Sequence, residues 1–112
     1  MIVYGIKSCD TCRKARQWLE TSGRDFAWRD LREDGPDESA LRRWVESVGV
    51  NRLVNRRSTT WRGLGESERA RAEDPQSAPQ VLLEHPTLIK RPVFELDDRV
   101  LVGFDDAVKR AL

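Results

Sequence analysis

The sequence predicts an α/β protein built on a mixed four-stranded sheet, and three observations predict it. A short β-rich run, Ile2 to Tyr4, ends at Gly5 and leads through a polar loop into a helix whose Cys12, Ala15, Trp18 and Leu19 share one face. Phe26 to Leu31 then reads as a second strand, so a β–α–β unit with a short crossover opens the chain and calls for parallel strands. Near the other end, Val93 to Leu96 and Val100 to Val102 flank Asp97-Asp98, the pattern of a β-hairpin.

The elements follow in order. Asp10 or Ser8 is placed to cap the first helix, and Ser22-Gly23 to stop it. Phe26 and Trp28 take one side of the second strand and Arg29 the other. Arg32 to Asp37 is a polar loop, and Pro36 suits the opening of the next helix. Leu41, Trp44, Val45 and Val48 form the apolar stripe of that helix, which Gly49 ends. Asn51 to Leu64 is the least regular stretch, rich in arginine, with Leu53 and Trp61 as its anchors to the core. Ser67 to Glu73 and Ser77 to Glu84 read as short helices, and His85 sits at the end of the second as a C-terminal cap. Pro86 and Pro92 bracket Thr87 to Arg91. Gly103 breaks the last strand, and Asp105 caps a final helix carrying Ala107, Val108 and Leu112. The four tryptophans are assigned to the core. The whole reads as one domain, residues 1–112, a thioredoxin-like fold with a helical insertion at about 37–85.

Composition narrows the function classes. Charged residues make up 35% of the 112, yet the net charge is +1, which argues against a general affinity for nucleic acid or membrane surfaces. No apolar run approaches the roughly 20 residues of a membrane span. The N-terminus shows no basic and apolar pattern of a signal peptide, so a cytoplasmic, reducing location is expected. There a C-x-x-C is more suited to redox chemistry than to a static crosslink.

Both cysteines of the chain, Cys9 and Cys12, lie between the first strand and the first helix. A helix N-terminus presents unpaired N–H groups and the positive end of the dipole, which favour a thiolate on the first cysteine. The second stands one turn on, within reach of a mixed disulfide formed at the first. A zinc site needs four ligands, and the chain has one histidine and no third cysteine. No metal is expected. Cys9 is therefore expected to be the more reactive thiol and Cys12 the more buried.

Three motifs in order, Tyr4-Gly5-Ile6-Lys7-Ser8-Cys9-Asp10-Thr11-Cys12-Arg13-Lys14-Ala15-Arg16-Gln17-Trp18-Leu19, Asn55-Arg56-Arg57-Ser58-Thr59-Thr60-Trp61-Arg62 and His85-Pro86-Thr87-Leu88-Ile89-Lys90-Arg91-Pro92, resemble the ArsC/Spx/YffB (arsenate reductase-like) family. The later Gly103-Phe104 fits the same pattern, and Tyr4 to Lys7, Asp34-Gly35 and Thr59 to Trp61 are most similar to the YffB-like subgroup. The resemblance implies an ArsC-like thioredoxin fold with Cys9 as nucleophile, Cys12 as partner thiol and Arg91 beside Cys9. It implies a cis bond before Pro92. Ser8, Arg13, Arg57 and Pro92 are expected around the substrate, with Arg13 placed to help hold a thiolate. In the middle motif an ungapped match puts Asn55 where arsenate reductases carry an arginine, whereas the YffB and Spx pattern favours Arg57. The third arginine of arsenate reductases is replaced by Gly103.

The function implied is a thiol oxidoreductase that binds no cofactor and uses glutathione or a similar thiol as co-substrate, acting on a small thiol or anionic substrate, with arsenate disfavoured. The alternative is an Spx-like redox-sensing regulator that contacts RNA polymerase and not nucleic acid. A monomer, free of membrane, is expected.

Overall fold

The computed structural model describes residues 1–112. The chain forms two compact units, one from Met1–Asp34 with Arg91–Leu112, the other from Gly35–Lys90.

The first unit holds the sheet. Strands β1 (Ile2–Gly5), β2 (Ala27–Asp30), β3 (Val93–Glu95) and β4 (Val100–Val102) lie in the order β2-β1-β3-β4. β1 and β2 are parallel; β1 with β3 and β3 with β4 are antiparallel. The parallel pair follows from the crossover through α1 (Asp10–Thr21), and the hairpin from the Asp97-Asp98 turn. Register places Trp28, Val3, Phe94 and Leu101 in one row across the four strands. That row packs with Ala15 and Leu19 of α1 and Val108 of α7 (Asp106–Ala111) into a core rimmed by Trp18, Phe26 and Phe104. Successive strand residues point to opposite faces, so Tyr4, Val93 and Val102 are buried on the other side.

The strand ends are tied by short-range bonds. Asp30, buried at the end of β2, accepts from the N–H groups of Arg32 (2.8 Å) and Glu33 (3.2 Å), which turns the chain out of the sheet. Asp105 caps α7 by accepting from Val108 N–H at 2.9 Å, as expected.

The second unit is helical: α2 (Glu38–Val48), α3 (Val50–Leu53), α4 (Thr59–Gly63), α5 (Glu66–Glu73) and α6 (Ala78–Glu84). α6 packs on α2 and α5, burying Leu41, Trp44, Ala72, Val81 and Leu82. The cap of α2 is Asp37, accepting from Ala40 N–H at 2.8 Å, so the helix opens two residues beyond Pro36. Gly49 ends it at φ +81°, a conformation that favours glycine. The stretch 51–64, expected to be irregular, contains most of α3 and all of α4. Ser58 supplies the missing cap: its Oγ accepts from Trp61 N–H at 3.1 Å. Leu53 is fully buried, but Trp61 is only half-buried and packs under the guanidinium groups of Arg56 and Arg69, at 5.6 and 5.5 Å. Of the four tryptophans, Trp44 alone is fully buried; Trp18, Trp28 and Trp61 sit at edges where a ring is half covered. No helix is long and apolar enough to cross a membrane.

Candidate active site

β1 delivers the chain to the mouth of α1. Gly5 is its last residue, and Cys9 N–H donates to Ile6 C=O at 3.0 Å, closing a turn over Ser8 and Lys7, both exposed. The helix cap is Cys9 itself, in extended conformation, where Asp10 or Ser8 was expected. Asp10 is displaced from the role because it is already the first helical residue, and its carboxylate pairs with Arg13. Cys9 C=O accepts from Arg13 N–H at 3.0 Å, the first bond of the helix.

The two thiols are free and differently set. Cys9 is partly exposed. Burial pushes its thiol up. Donation from the Cys12 backbone N–H and side chain, the Arg91 charge and the Thr11 N–H outweigh this and hold the pKa below the ordinary thiol value. Cys12 has no exposed surface. Burial pushes its thiol up to about 12, and the neighbouring Cys9 charge adds to the rise, against donation from the Ile6 backbone and the Arg91 charge. Cys9 is thus the more easily ionised of the two, and Cys12 keeps its proton and donates it toward Cys9.

Arg91 comes to this place from the start of the sheet unit's second segment. The Arg91–Pro92 bond is cis, as the resemblance implied, and Pro92 is buried. Pro92 C=O accepts from Gly103 N–H at 2.9 Å. Gly103 has φ +86°, so the position at which arsenate reductases carry an arginine is here held in a conformation that side chains disfavour.

Other expected residues have partners of their own. The Arg13 guanidinium is exposed and engaged with Asp10, while the charge that lowers the Cys9 pKa is that of Arg91. Arg57 belongs to the helical unit, with Asn55 Oδ1 accepting from its backbone N–H at 3.0 Å. It lines a cavity of about 360 Å³ with Asn51, Val54, Asn55, Arg56 and Lys90. Both candidates for the middle arginine register, Asn55 and Arg57, therefore face one cationic groove. His85 ends α6, as expected, with its ring 3.9 Å from Glu68. Glu68 and Glu84 converge there on Arg71, at 2.6 and 4.0 Å. That guanidinium supplies their counter-charge.

One residue of the site was missed in the sequence reading. A Cβ on Gly5 would lie 2.7 Å from Cys12 Sγ and 2.5 Å from the Trp28 ring. Gly5 is thus the backbone wall against which the second thiol rests. The signal was available, since glycine inside a strand marks a close approach.

The sequence profile of the ArsC family matches residues 4–112. The chain belongs to the ArsC family. A Haemophilus influenzae relative, an uncharacterized protein, is 44% identical over 104 residues, covering 93% of this chain and 90% of its own. Among solved structures, a YffB protein superposes with a TM-score of 0.90 at 41% identity, over 98% of this chain and 96% of its own. An arsenate reductase-related protein of Brucella melitensis is 42% identical, with a TM-score of 0.75 and coverages of 98% and 91%. The global transcriptional regulator Spx of Bacillus subtilis is 26% identical over 113 residues, covering 98% of this chain and 85% of its own. The expected thioredoxin-like α/β fold with its mixed four-stranded sheet is the fold this ArsC-family member has.

Proposed function

We propose that this protein is a thiol-dependent oxidoreductase in which Cys9 is the nucleophile. The observation that carries the reading is the split between the thiols: Cys9 lowered at a helix mouth beside Arg91, Cys12 buried and raised to about 12. The Cys9 thiolate attacks one sulfur of a disulfide RS–SR′. A Cys9–S–S–R bond forms, the RS–SR′ bond breaks, and R′S⁻ leaves to take a proton from water. Glutathione or a similar thiol then attacks the mixed disulfide, forming glutathionyl–S–S–R and returning Cys9 as thiolate. Alternatively Cys12 gives up its proton and attacks Cys9 Sγ, releasing RS⁻ and leaving a Cys9–Cys12 disulfide for two thiols to reduce. Arg91 stabilises the thiolate and the anionic end of an incoming thiol. Ser8, Arg13, Pro92 and Arg57 are assigned to substrate contacts.

Arsenate is the disfavoured substrate. Thiolate attack on an oxyanion sets like charges against each other, and oriented cations must offset that. Gly103 stands where the third arginine would be, and the middle position is Asn55 or Arg57. A disulfide is neutral at the reacting sulfur, so the same losses weigh less. Steady-state turnover of arsenate and of a glutathione mixed disulfide tests the assignment: the disulfide is turned over in a Cys9-dependent way and arsenate weakly or not at all. Efficient Cys9-dependent arsenate turnover overturns the substrate reading, and disulfide exchange that survives Cys9→Ser overturns the nucleophile.

The Spx relative supports a second reading, a redox-sensing regulator that meets RNA polymerase through protein contacts. Co-purification with polymerase subunits that changes with thiol oxidation, together with no disulfide turnover, would favour it.

A further inference from the structure

Two side chains outside the thiol pair are arranged around Cys12. Trp28, on the edge strand β2, reaches across to the end of β1, with its Cη2 atom within 2.5 Å of the point where Gly5 would carry a Cβ. Cys12 Sγ lies 2.7 Å from that same point. The indole and the sulfur therefore share one small space above a bare backbone. Arg16, one turn beyond Cys12 on α1, lays its guanidinium 4.5 Å from the centre of the Trp28 ring. The indole thus has the Cys12 sulfur near its Cη2 edge and the Arg16 guanidinium over its ring.

This stack is costly to keep. The Arg16 Nε and Trp28 Nε1 atoms are both buried and both lack a hydrogen-bond partner. Buried donors without acceptors are rare, and each calls for an explanation. A leucine on β2 and a glutamine on α1 would fill the edge with fewer unsatisfied groups. What the indole provides is a broad rigid plate, and the guanidinium clamps it by cation–π attraction.

We propose that Trp28, clamped by Arg16, is a positioning residue for the second thiol: it closes the β2 side of the Cys12 pocket, so that Cys12 can be reached only through Cys9. This rests on the thiol-exchange reading and names the residue that directs it to Cys9. With that side closed, the sulfur of an external substrate has no approach to Cys12, and a mixed disulfide forms at Cys9 alone. Cys12, which already donates toward Cys9, then meets substrate sulfur only as the mixed disulfide at Cys9 Sγ.

The test uses the full chain with Cys9→Ser, in which Cys12 is the sole thiol and turnover is not needed. Labelling of Cys12 by iodoacetamide at pH 8 is followed with Trp28 present, with Trp28→Ala, with Trp28→Phe and with Arg16→Gln. Trp28→Ala should speed labelling by about tenfold or more, Trp28→Phe should stay near the starting rate, and Arg16→Gln should fall between. Each rate is repeated in low urea. A local opening gives a rate that barely changes with urea, whereas general loosening gives one that climbs with it. Equal rates for Trp28 and Trp28→Ala overturn the proposal, as does an acceleration that climbs steeply with urea. Because the assay does not use Cys9, failure of the proposed exchange activity would leave its answer readable.

Discussion

Two residues, Asp10 and Thr11, separate the thiol at the mouth of α1 from the thiol in its first buried turn, and the two places hold a thiol in opposite ways. At the mouth, Cys9 is partly exposed, faces backbone N–H groups of the helix and feels the Arg91 charge. One turn in, Cys12 is sealed against Gly5 and Trp28 and keeps its proton. The same side-chain chemistry therefore gives a thiol that ionises more easily or one that keeps its proton, according to which side of the first helical turn it occupies. Local backbone geometry sets the first, and packing against the sheet sets the second.

The comparison breaks most visibly at Cys9. Cys9→Ser should lower disulfide turnover by about a thousandfold or more, while Cys12→Ala with glutathione in excess should cost about tenfold at most, since external thiol can resolve the mixed disulfide. Steady-state rates for the two variants check this. A larger loss at Cys12 would reverse the assignment of roles.

Gly5→Ala attacks the sealed side. The added Cβ meets Cys12 Sγ at 2.7 Å and the indole at 2.5 Å, so the wall and the stack must shift. A loss of roughly 1–3 kcal/mol in urea unfolding is expected, in line with overpacking. Faster alkylation of Cys12 should accompany it.

Stability against pH separates the two thiols by sign. The folded chain holds the Cys12 proton to about 12, whereas an unfolded thiol loses it near pH ~8.5. Unfolding then releases a proton, so the Cys12 contribution falls as pH rises above the unfolded value. For Cys9 the folded pKa is the lower one. Its contribution is present above the unfolded value and is lost as pH falls through the folded one. Urea midpoints at neutral and alkaline pH should show a decline that Cys12→Ala removes and Cys9→Ala does not.

Charge at the mouth gives the smaller effects. Arg91→Gln should slow alkylation of Cys9 at pH 7 by about threefold to tenfold, with Arg91→Lys recovering most of it. Arg13→Gln should change unfolding by about 0.5 kcal/mol or less, because its pair with Asp10 is exposed on both sides. An Arg13 variant that slows Cys9 more than Arg91→Gln does would show that the wrong cation was named.

Much of this was already determined by residue pattern. Apolar spacing and the Asp97-Asp98 turn specify the β–α–β opening and the closing hairpin, because periods of 3.6 and 2 residues are local signals. The position of C-x-x-C between strand and helix specified which thiol would meet the dipole. Helix caps were less legible: Cys9 caps α1 where Asp10 or Ser8 was expected, and Ser58 caps a helix that the pattern did not show. The family resemblance implied Arg91, eighty-odd residues along the chain, beside Cys9, but no local pattern did; only the tertiary structure decided that its charge would act on Cys9 and that Arg13 would turn to Asp10. Only it decided that Trp28 would close over Gly5 and Cys12 rather than enter the core like Trp44. The reason is physical: periodicity says which face of an element is apolar, but which residue on another strand comes to rest against a given sulfur depends on register and ring orientation, and these exist only once the sheet is assembled.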